Sequence, residues 1–140
     1  MHVDFAFICD YAEAGNKINA MGIGFERIFA PKVPVKHPHF SVVVQLKFER
    51  TETGAKDIQV HLTDADGAEV IPPVNGKIVV NTPPPGMFES STRLVMEFAN
   101  VEFKVYGDYA IRVDVDAQEM VSISLTVTAP PVQSPTPRPN

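Results

Sequence analysis

The chain has 140 residues and a mass of 15.4 kDa, the size of one domain with a single hydrophobic core. It carries 12 Lys and Arg against 17 Asp and Glu, and the resulting net charge of −5 disfavours a nucleic-acid binder, which normally presents a basic surface. Because no apolar run approaches the roughly 18 residues of a membrane span and the only cysteine, Cys9, has no disulfide partner in the chain, we predict a globular cytoplasmic protein without a membrane segment.

The N-terminal third predicts short strands and turns. Apolar residues at every second position from Val3 to Cys9 are typical of a strand. Residues 10–17 predict either a helical turn or, because they contain Gly15-Asn16, a chain reversal. Residues 17–29 predict a hairpin that turns around Gly22 and Gly24.

The middle of the chain contains two segments with strict alternation. Residues 40–50 are apolar at every second position, which predicts a strand with one buried and one solvated face. Residues 56–64 repeat the pattern, and the glycine-containing link 51–55 predicts that the two strands form a hairpin. The prolines of residues 81–91 predict a long surface loop. Further short strands are predicted at residues 69–71, 78–80 and 94–99.

The last two strands are the clearest in the sequence. Residues 109–115 and 121–127 alternate between apolar and polar side chains, which predicts an antiparallel hairpin with one buried and one solvated face. Gly107 and Tyr109 match the tyrosine corner of immunoglobulin-like domains. In that corner, a Tyr at the start of the second-last strand bonds through its hydroxyl to the backbone of the preceding corner.

The pattern as a whole predicts an all-β fold. Short strands separated by turn signals favour an antiparallel immunoglobulin-like β-sandwich of about eight or nine strands, covering residues 1–128. Residues 129–140 contain five prolines and little that is apolar, so we predict a disordered proline-rich tail.

The histidines are the first candidates for a functional site. His37 and His39 flank Pro38, which favours an extended backbone at His37 and allows both imidazoles to face the same side. A catalytic zinc site takes three protein ligands, and His61 is a candidate third ligand, with His2 or a carboxylate as alternatives. The competing interpretation is that these histidines are solvated or pack at the start of a strand.

Two acidic turns are the second candidate. Asp64 and Asp66 lie in one turn, and Asp114, Asp116 and Glu119 lie at the tip of the last hairpin. If both turns lie at the same end of the fold, their carboxylates could bind calcium. The alternative is that they are ordinary turn residues in contact with water.

The sequence contains no motif for covalent chemistry or for a cofactor. Cys9 lies in an apolar alternation without a basic neighbour, which predicts a buried thiol rather than a nucleophile. A nucleophile elbow, a P-loop and a complete dinucleotide-binding glycine motif are all missing from the sequence. We therefore predict no cofactor and no catalytic residue.

Four local features stand out along the chain: Asp10-Tyr11 with the turn Gly15-Asn16-Lys17, His37-Pro38 before a strand, the turn Asp66-Gly67, and the corner Gly107-x-Tyr109. Together they resemble a bacterial family of small uncharacterised cytoplasmic all-β proteins, a domain of unknown function. The resemblance extends over nearly the whole chain except the proline-rich tail. It implies a single bacterial β-domain and supplies no catalytic residue.

These observations predict a non-enzymatic binding or scaffold module that acts through protein–protein contacts. An open edge strand of a sandwich can pair with a second copy, so we also expect a homo-oligomer. The alternative is a metal-dependent enzyme or sensor that uses His37, His39 and His61. A third hypothesis is a carrier of a small ligand, which requires that the strands enclose a hollow barrel.

Overall fold

The computed structural model describes residues 1–132, which form ten β-strands and one short 3-10 helix, Arg50–Glu52. The all-β prediction is confirmed, with ten strands in place of eight or nine. Within residues 1–132, no helix has the length and apolar character needed to cross a membrane. The strands are β1 (His2–Cys9), β2 (Tyr11–Ala14), β3 (Ile18–Met21), β4 (Arg27–Phe29), β5 (Val35–Glu49), β6 (Gly54–Thr63), β7 (Val74–Val80), β8 (Glu89–Phe103), β9 (Gly107–Val115) and β10 (Gln118–Thr128).

The strands are arranged in three sheets. A three-stranded sheet has the order β1-β5-β8, a five-stranded sheet has the order β4-β10-β9-β6-β7, and β2 with β3 forms a small hairpin. Every pair is antiparallel except β4 and β10, which are parallel. One cluster of buried side chains draws on both larger sheets, so the two sheets share a single core.

Aromatic contacts fix this core at two points. Phe40 of β5 stacks on Phe98 of β8, with ring centroids 4.9 Å apart and the ring planes nearly parallel. Phe103 of β8 meets Tyr109 of β9 edge to face at 4.9 Å, and this contact connects the three-stranded to the five-stranded sheet.

The predicted tyrosine corner is present. The Tyr109 hydroxyl donates a hydrogen bond of 2.6 Å to the carbonyl oxygen of Val105, four residues earlier. Gly107 between them has a φ of +142°, a conformation that glycine adopts without the steric cost of a Cβ. The predicted hairpin of the last two strands is also confirmed as β9 and β10.

The predicted hairpin between residues 40–50 and 56–64 is wrong. β5 pairs with β1 and β8, whereas β6 pairs with β7 and β9 in the other large sheet. The link between them is a 3-10 turn, in which the Glu52 carboxylate accepts hydrogen bonds from the Glu49 backbone and from the N-terminal ammonium group. This turn carries the chain from one sheet to the other instead of folding it back.

The predicted hairpin over residues 17–29 is also wrong. β3 pairs with β2 through the reversal at Gly15-Asn16, and β4 pairs with β10. Of the two interpretations of residues 10–17, the chain reversal is therefore correct. Gly22 has a φ of +68°, and a Cβ at that position would collide with the Asp10 carboxylate. The glycine therefore turns the chain around the end of β1 rather than closing a hairpin.

The face of β5 opposite the main core is also covered over most of residues 40–50, so the predicted solvated face is restricted to the half-buried Lys47 and the exposed Glu49. Val42, Val44 and other even-numbered residues enter the main core, but Ser41 and Val43 on the opposite face are also fully buried. The small hairpin β2–β3 covers that second face. A second cluster of buried side chains lies at this interface. It comprises Cys9, Ala12 and Val43, with Phe7, Ile18, Ala20 and Val95 packed against them.

β8 is longer than predicted, and the face of the strand that is buried differs before and after Asn100. It runs for 15 residues and pairs with β5 on both sides of Asn100. Phe98 is buried, and so is Val101 three residues later, which a regular alternation would place on opposite faces. Asn100, which has a φ of +52° and lies opposite Pro38, makes the switch possible.

The remaining predictions concern loops and the tail. Residues 69–71 do not form a strand, because Glu69 makes only an isolated bridge to Thr63. The proline-rich segment before β8 is a loop, as expected. The last strand ends at Thr128, where the predicted domain ends. Residues 133–140 of the predicted disordered tail lie outside the described residues.

We expect Tyr109→Phe to lower the free energy of unfolding by about 1 kcal/mol, the usual contribution of one hydrogen bond. The ring would stay packed against Phe103, so only the bond to Val105 is lost. Urea unfolding measures this difference. Tyr11→Phe is the control, because no hydrogen bond of the Tyr11 hydroxyl is found among residues 1–132. If the two variants have equal free energies of unfolding, the hydrogen bond of the corner does not contribute to stability.

Candidate functional site

His37 packs as an aromatic side chain. Its ring centroid lies 6.0 Å from that of Phe25 and 5.8 Å from that of Phe40, and the side chain is half-buried. This burial lowers the pKa of His37 below its ordinary value, although the His39 backbone and the Asp10 charge act in the opposite direction. His37 is therefore a mainly neutral ring near neutral pH.

His39 contacts a different part of the molecule. Its Nδ1 lies 2.8 Å from the carbonyl oxygen of Asp10, and its ring lies 6.1 Å from that of Tyr11. The ring thus fixes the junction between β1 and the small hairpin, whereas His37 faces the core aromatics. The two histidines have separate structural contacts.

His61 lies in the other large sheet, within a polar network on β6. Its Nδ1 is 2.5 Å from Glu69 Oε1, and its Nε2 is 2.8 Å from Gln59 Oε1 and 3.5 Å from Asp114 Oδ2. Asp114 in turn accepts a hydrogen bond of 3.1 Å from the guanidinium of Arg112. Both ring nitrogens of this buried histidine are therefore engaged by oxygen atoms of the protein.

The structure does not bring the three histidines together. His37 and His39 belong to β5 of the three-stranded sheet, and His61 belongs to β6 of the five-stranded sheet. Within residues 1–132, no three His, Cys, Asp or Glu side chains form a group that could hold a metal ion. A metal site that uses all three histidines has no ligand geometry in this part of the chain.

The two acidic turns lie at opposite ends of β6, contrary to the arrangement expected for a shared calcium ion. Asp116 Oδ1 accepts the Asp57 backbone N–H at 2.8 Å, near the start of the strand. Asp64 follows the end of the strand, and its carboxylate accepts the backbone N–H groups of Asp66 and Ala68. Seven residues of extended chain separate these positions by roughly 20 Å. The Asp64 carboxylate therefore stabilises its own turn, whereas the Asp116 carboxylate connects the tip of the last hairpin to β6.

Cys9 is fully buried, as predicted. Burial and the neighbouring Asp10 charge raise the pKa of its thiol. The Sγ atom lies 3.4 Å from the carbonyl oxygen of Tyr11 and 3.7 Å from that of Ser41. This environment suits an inert thiol that packs between β1, β5 and the small hairpin.

An apolar groove, which the sequence interpretation missed, lies where β1 meets the small hairpin. Its volume is about 650 Å³. Met21 is 68% exposed, Ile23 is 60% exposed and Tyr11 is 45% exposed, so several large apolar side chains are open to solvent at one place. The groove is lined by Phe5, Phe7, Tyr11, Glu13, Ile18, Asn19, Ala20, Met21 and Ile23.

The floor of the groove is built from β1. Phe5 and Phe7 stack with ring centroids 6.0 Å apart and planes inclined by 16°. Among residues 1–132, Glu13 is the only charged residue that lines the groove. A site of this kind can hold apolar side chains, and its carboxylate adds a preference for a neighbouring cation.

The groove could not be recognised while residues 17–29 were assigned to a hairpin of their own. In that arrangement Met21 and Ile23 belong to a turn far from β1. The pairing of β3 with β2 places them beside Phe5 and Phe7 instead. The one available signal was the close spacing of large apolar residues around a turn, where polar residues are usual.

Residues 4–128 match the model of a protein family described as "Family of unknown function (DUF6941)". The match covers most of the chain, which confirms the predicted resemblance to a family of unknown function. No curated protein is a significant match to the chain.

We expect His37 to make stability fall in mildly acidic solution. Its folded pKa lies below the ordinary value of 6.5, so the unfolded chain takes up this proton first. The stability that depends on neutral His37 is complete above that pH and is lost as the pH falls through the folded pKa. His37→Gln should therefore lose less stability than the wild type between about pH 7.5 and about pH 5.5 in urea unfolding.

His2→Gln is the control for this measurement, because His2 is exposed. It should retain the pH dependence of the wild type. The explanation fails if His37→Gln and His2→Gln lose the same free energy of unfolding over this pH range.

Proposed function

The chain belongs to the family DUF6941, and we propose that this member is a non-enzymatic binding or scaffold module that acts through protein–protein contacts. The observation that carries the proposal is the apolar groove between β1 and the small hairpin. Large apolar side chains gathered at one exposed site and rimmed by polar residues are a common mark of an interaction surface. Here Glu13 and Asn19 supply the polar part.

The partner that fits this groove is a protein segment with exposed apolar side chains next to a Lys or Arg. The apolar side chains would displace water from Phe5, Met21 and Ile23, which provides most of the binding free energy. The cation would face Glu13, and the net charge of −5 would favour its approach. A strongly acidic partner is disfavoured by the same charges.

The fold part of the proposal is an immunoglobulin-like sandwich. Three lines support it: two sheets share one core, a tyrosine corner precedes the second-last strand, and the final hairpin lies inside the larger sheet. Domains with this architecture commonly present loops and sheet edges to partners, so the fold is compatible with a binding role.

The chemistry-bearing side chains favour a binding role over catalysis. His61 is engaged at both ring nitrogens, the Asp64 carboxylate caps its own turn, the Asp116 carboxylate accepts a backbone N–H of β6, and the Cys9 thiol is buried. A metal-dependent enzyme or sensor remains the alternative. It would be favoured over binding if the untagged protein carried a stoichiometric metal in elemental analysis.

Two further predictions accompany the proposal. The shared core of the two large sheets occupies the interior, which disfavours a carrier with a hollow barrel. We also place the protein in the cytoplasm, without nucleic-acid or membrane binding, on the basis of its single cysteine and its acidic charge.

The groove can be tested with peptides selected from a random display library against the immobilised full chain. We expect the selected peptides to carry apolar residues beside Lys or Arg. The double variant Met21→Lys/Ile23→Lys should weaken their binding about tenfold or more, because each buried large apolar side chain contributes roughly 1.5–3 kcal/mol. Binding is measured by calorimetry at fixed ionic strength.

The matched control is Val79→Lys/Val105→Lys, which changes two side chains of similar exposure, 67% and 57%, away from the groove. It should bind the peptides as the wild type does, and both variants should keep the wild-type unfolding midpoint. If the library yields only peptides that bind both variants equally, the groove is not the binding site and the proposal is wrong.

A further inference from the structure

β8 has a long outer edge that makes no backbone pairing within the described chain. It forms a ladder with β5 on one side only. Among residues 1–132, none of the backbone hydrogen bonds found outside the strand ladders involves residues 89–103. The outward N–H and C=O groups of β8 are therefore available to another strand.

The other sheet edges are less suited to pairing. β1 has a register shift between Val3 and Phe5. β4 is only three residues long, and β7 contains Gly76 followed by the exposed Lys77. Short strands, irregular register, glycine and lysine all reduce edge pairing. Residues 91–99 of β8 contain no proline, glycine or register shift.

We propose that a second copy of this chain pairs antiparallel with β8, with the two-fold axis at Val95. This register places Arg93 opposite Glu97 of the partner subunit, and the same pair occurs again on the other side of the axis. Opposite charges that face each other across antiparallel strands stabilise the pairing. The inference is independent of the apolar groove.

The same register also matches the apolar side chains. Leu94 comes to lie opposite the partner's Met96, and both side chains are only partly buried against the core in the single chain. The pairing would cover these side chains and continue the core across the two-fold axis. Val95 would lie opposite its own copy.

Axes at Arg93 and at Glu97 bring like charges together, whereas axes at Leu94 and at Met96 leave Arg93 without an opposite charge across the strands. An axis at Arg93 places Arg93 opposite itself and Glu89 opposite Glu97, and an axis at Glu97 places that carboxylate opposite its own copy. Like charges in direct opposition destabilise a strand pair. Beyond residue 99, the positive φ of Asn100 turns the strand and ends the regular edge. The axis at Val95 is therefore central in the straight segment 91–99.

Cysteine pairs test this register in the full chain. Opposite residues of antiparallel strands have Cα atoms about 4.5–5.5 Å apart, within the range of a disulfide. Val95→Cys should therefore form a disulfide-linked dimer under mild oxidation. Ser91→Cys and Ala99→Cys, both exposed, should each remain unlinked alone and should form a linked heterodimer when mixed. The wild type, whose only thiol is the buried Cys9, should form no linked dimer.

A charge exchange tests the same contact without a covalent bond. Glu97→Arg should raise the dissociation constant of the dimer on the order of tenfold, since two attractive pairs become repulsive. Arg93→Glu/Glu97→Arg should restore it. The single variant is placed at Glu97 because Arg93 also donates hydrogen bonds to Gln45 and to the Asn16 carbonyl.

Light scattering over a range of concentrations measures the association. A wild-type chain that stays monomeric at high concentration would overturn the proposal. Efficient linking of Ser91→Cys alone, or no rescue by the charge exchange, would show that the register is wrong. The groove variant Met21→Lys/Ile23→Lys should dimerise normally, so failure of the groove and failure of the dimer are separate outcomes.

Discussion

The burial of both faces of β5 is the constraint on which the rest of the structure depends. One face carries Phe40, Val42 and Val44 into the core shared by the two large sheets, and the other carries Ser41 and Val43 under the small hairpin. A strand of this kind needs a cover on each side, because exposing either apolar face to water is costly. The hairpin is that second cover, and its outer rim forms the apolar groove. The groove is thus a consequence of how the three-stranded sheet is covered.

Among the described residues, the reactive side chains and the exposed contact surfaces lie in different parts of the fold. Several side chains with acid–base or nucleophilic chemistry are engaged in contacts within the chain: His39 and His61 in hydrogen bonds, Asp64 in its own turn, Asp116 with the β6 backbone, and Cys9 in the core. Two features remain exposed at the surface: the apolar side chains of the groove and the unpaired backbone edge of β8. Contacts of both kinds suit recognition of a protein chain, since neither requires a reactive group.

Alternation along single strands was enough to predict the all-β fold and the last hairpin, and the spacing of Gly107 and Tyr109 predicted the corner. Which strands pair with each other was harder to predict. Alternation with a period of two shows which side chains share a face, but it does not show which strand lies alongside. The Gly54 link looked like a hairpin turn but joins two sheets, and Gly22 looked like a hairpin turn but passes around Asp10. The groove was missed for the same reason, since it depends on β3 lying beside β2. The contacts of His37 and His61 likewise depend on neighbours that are distant in sequence.

The parallel pairing of β4 with β10 joins residues 27–29 to residues 126–128, so it connects segments separated by most of the chain. During synthesis on a ribosome, the early strand is complete long before the late one has left the exit tunnel. The sheet therefore cannot close until residues 126–128 have left the tunnel. Pairings between such distant segments are typical of slowly folding β-proteins. The nascent chain keeps an incomplete sheet until then, a period in which chaperones can bind it.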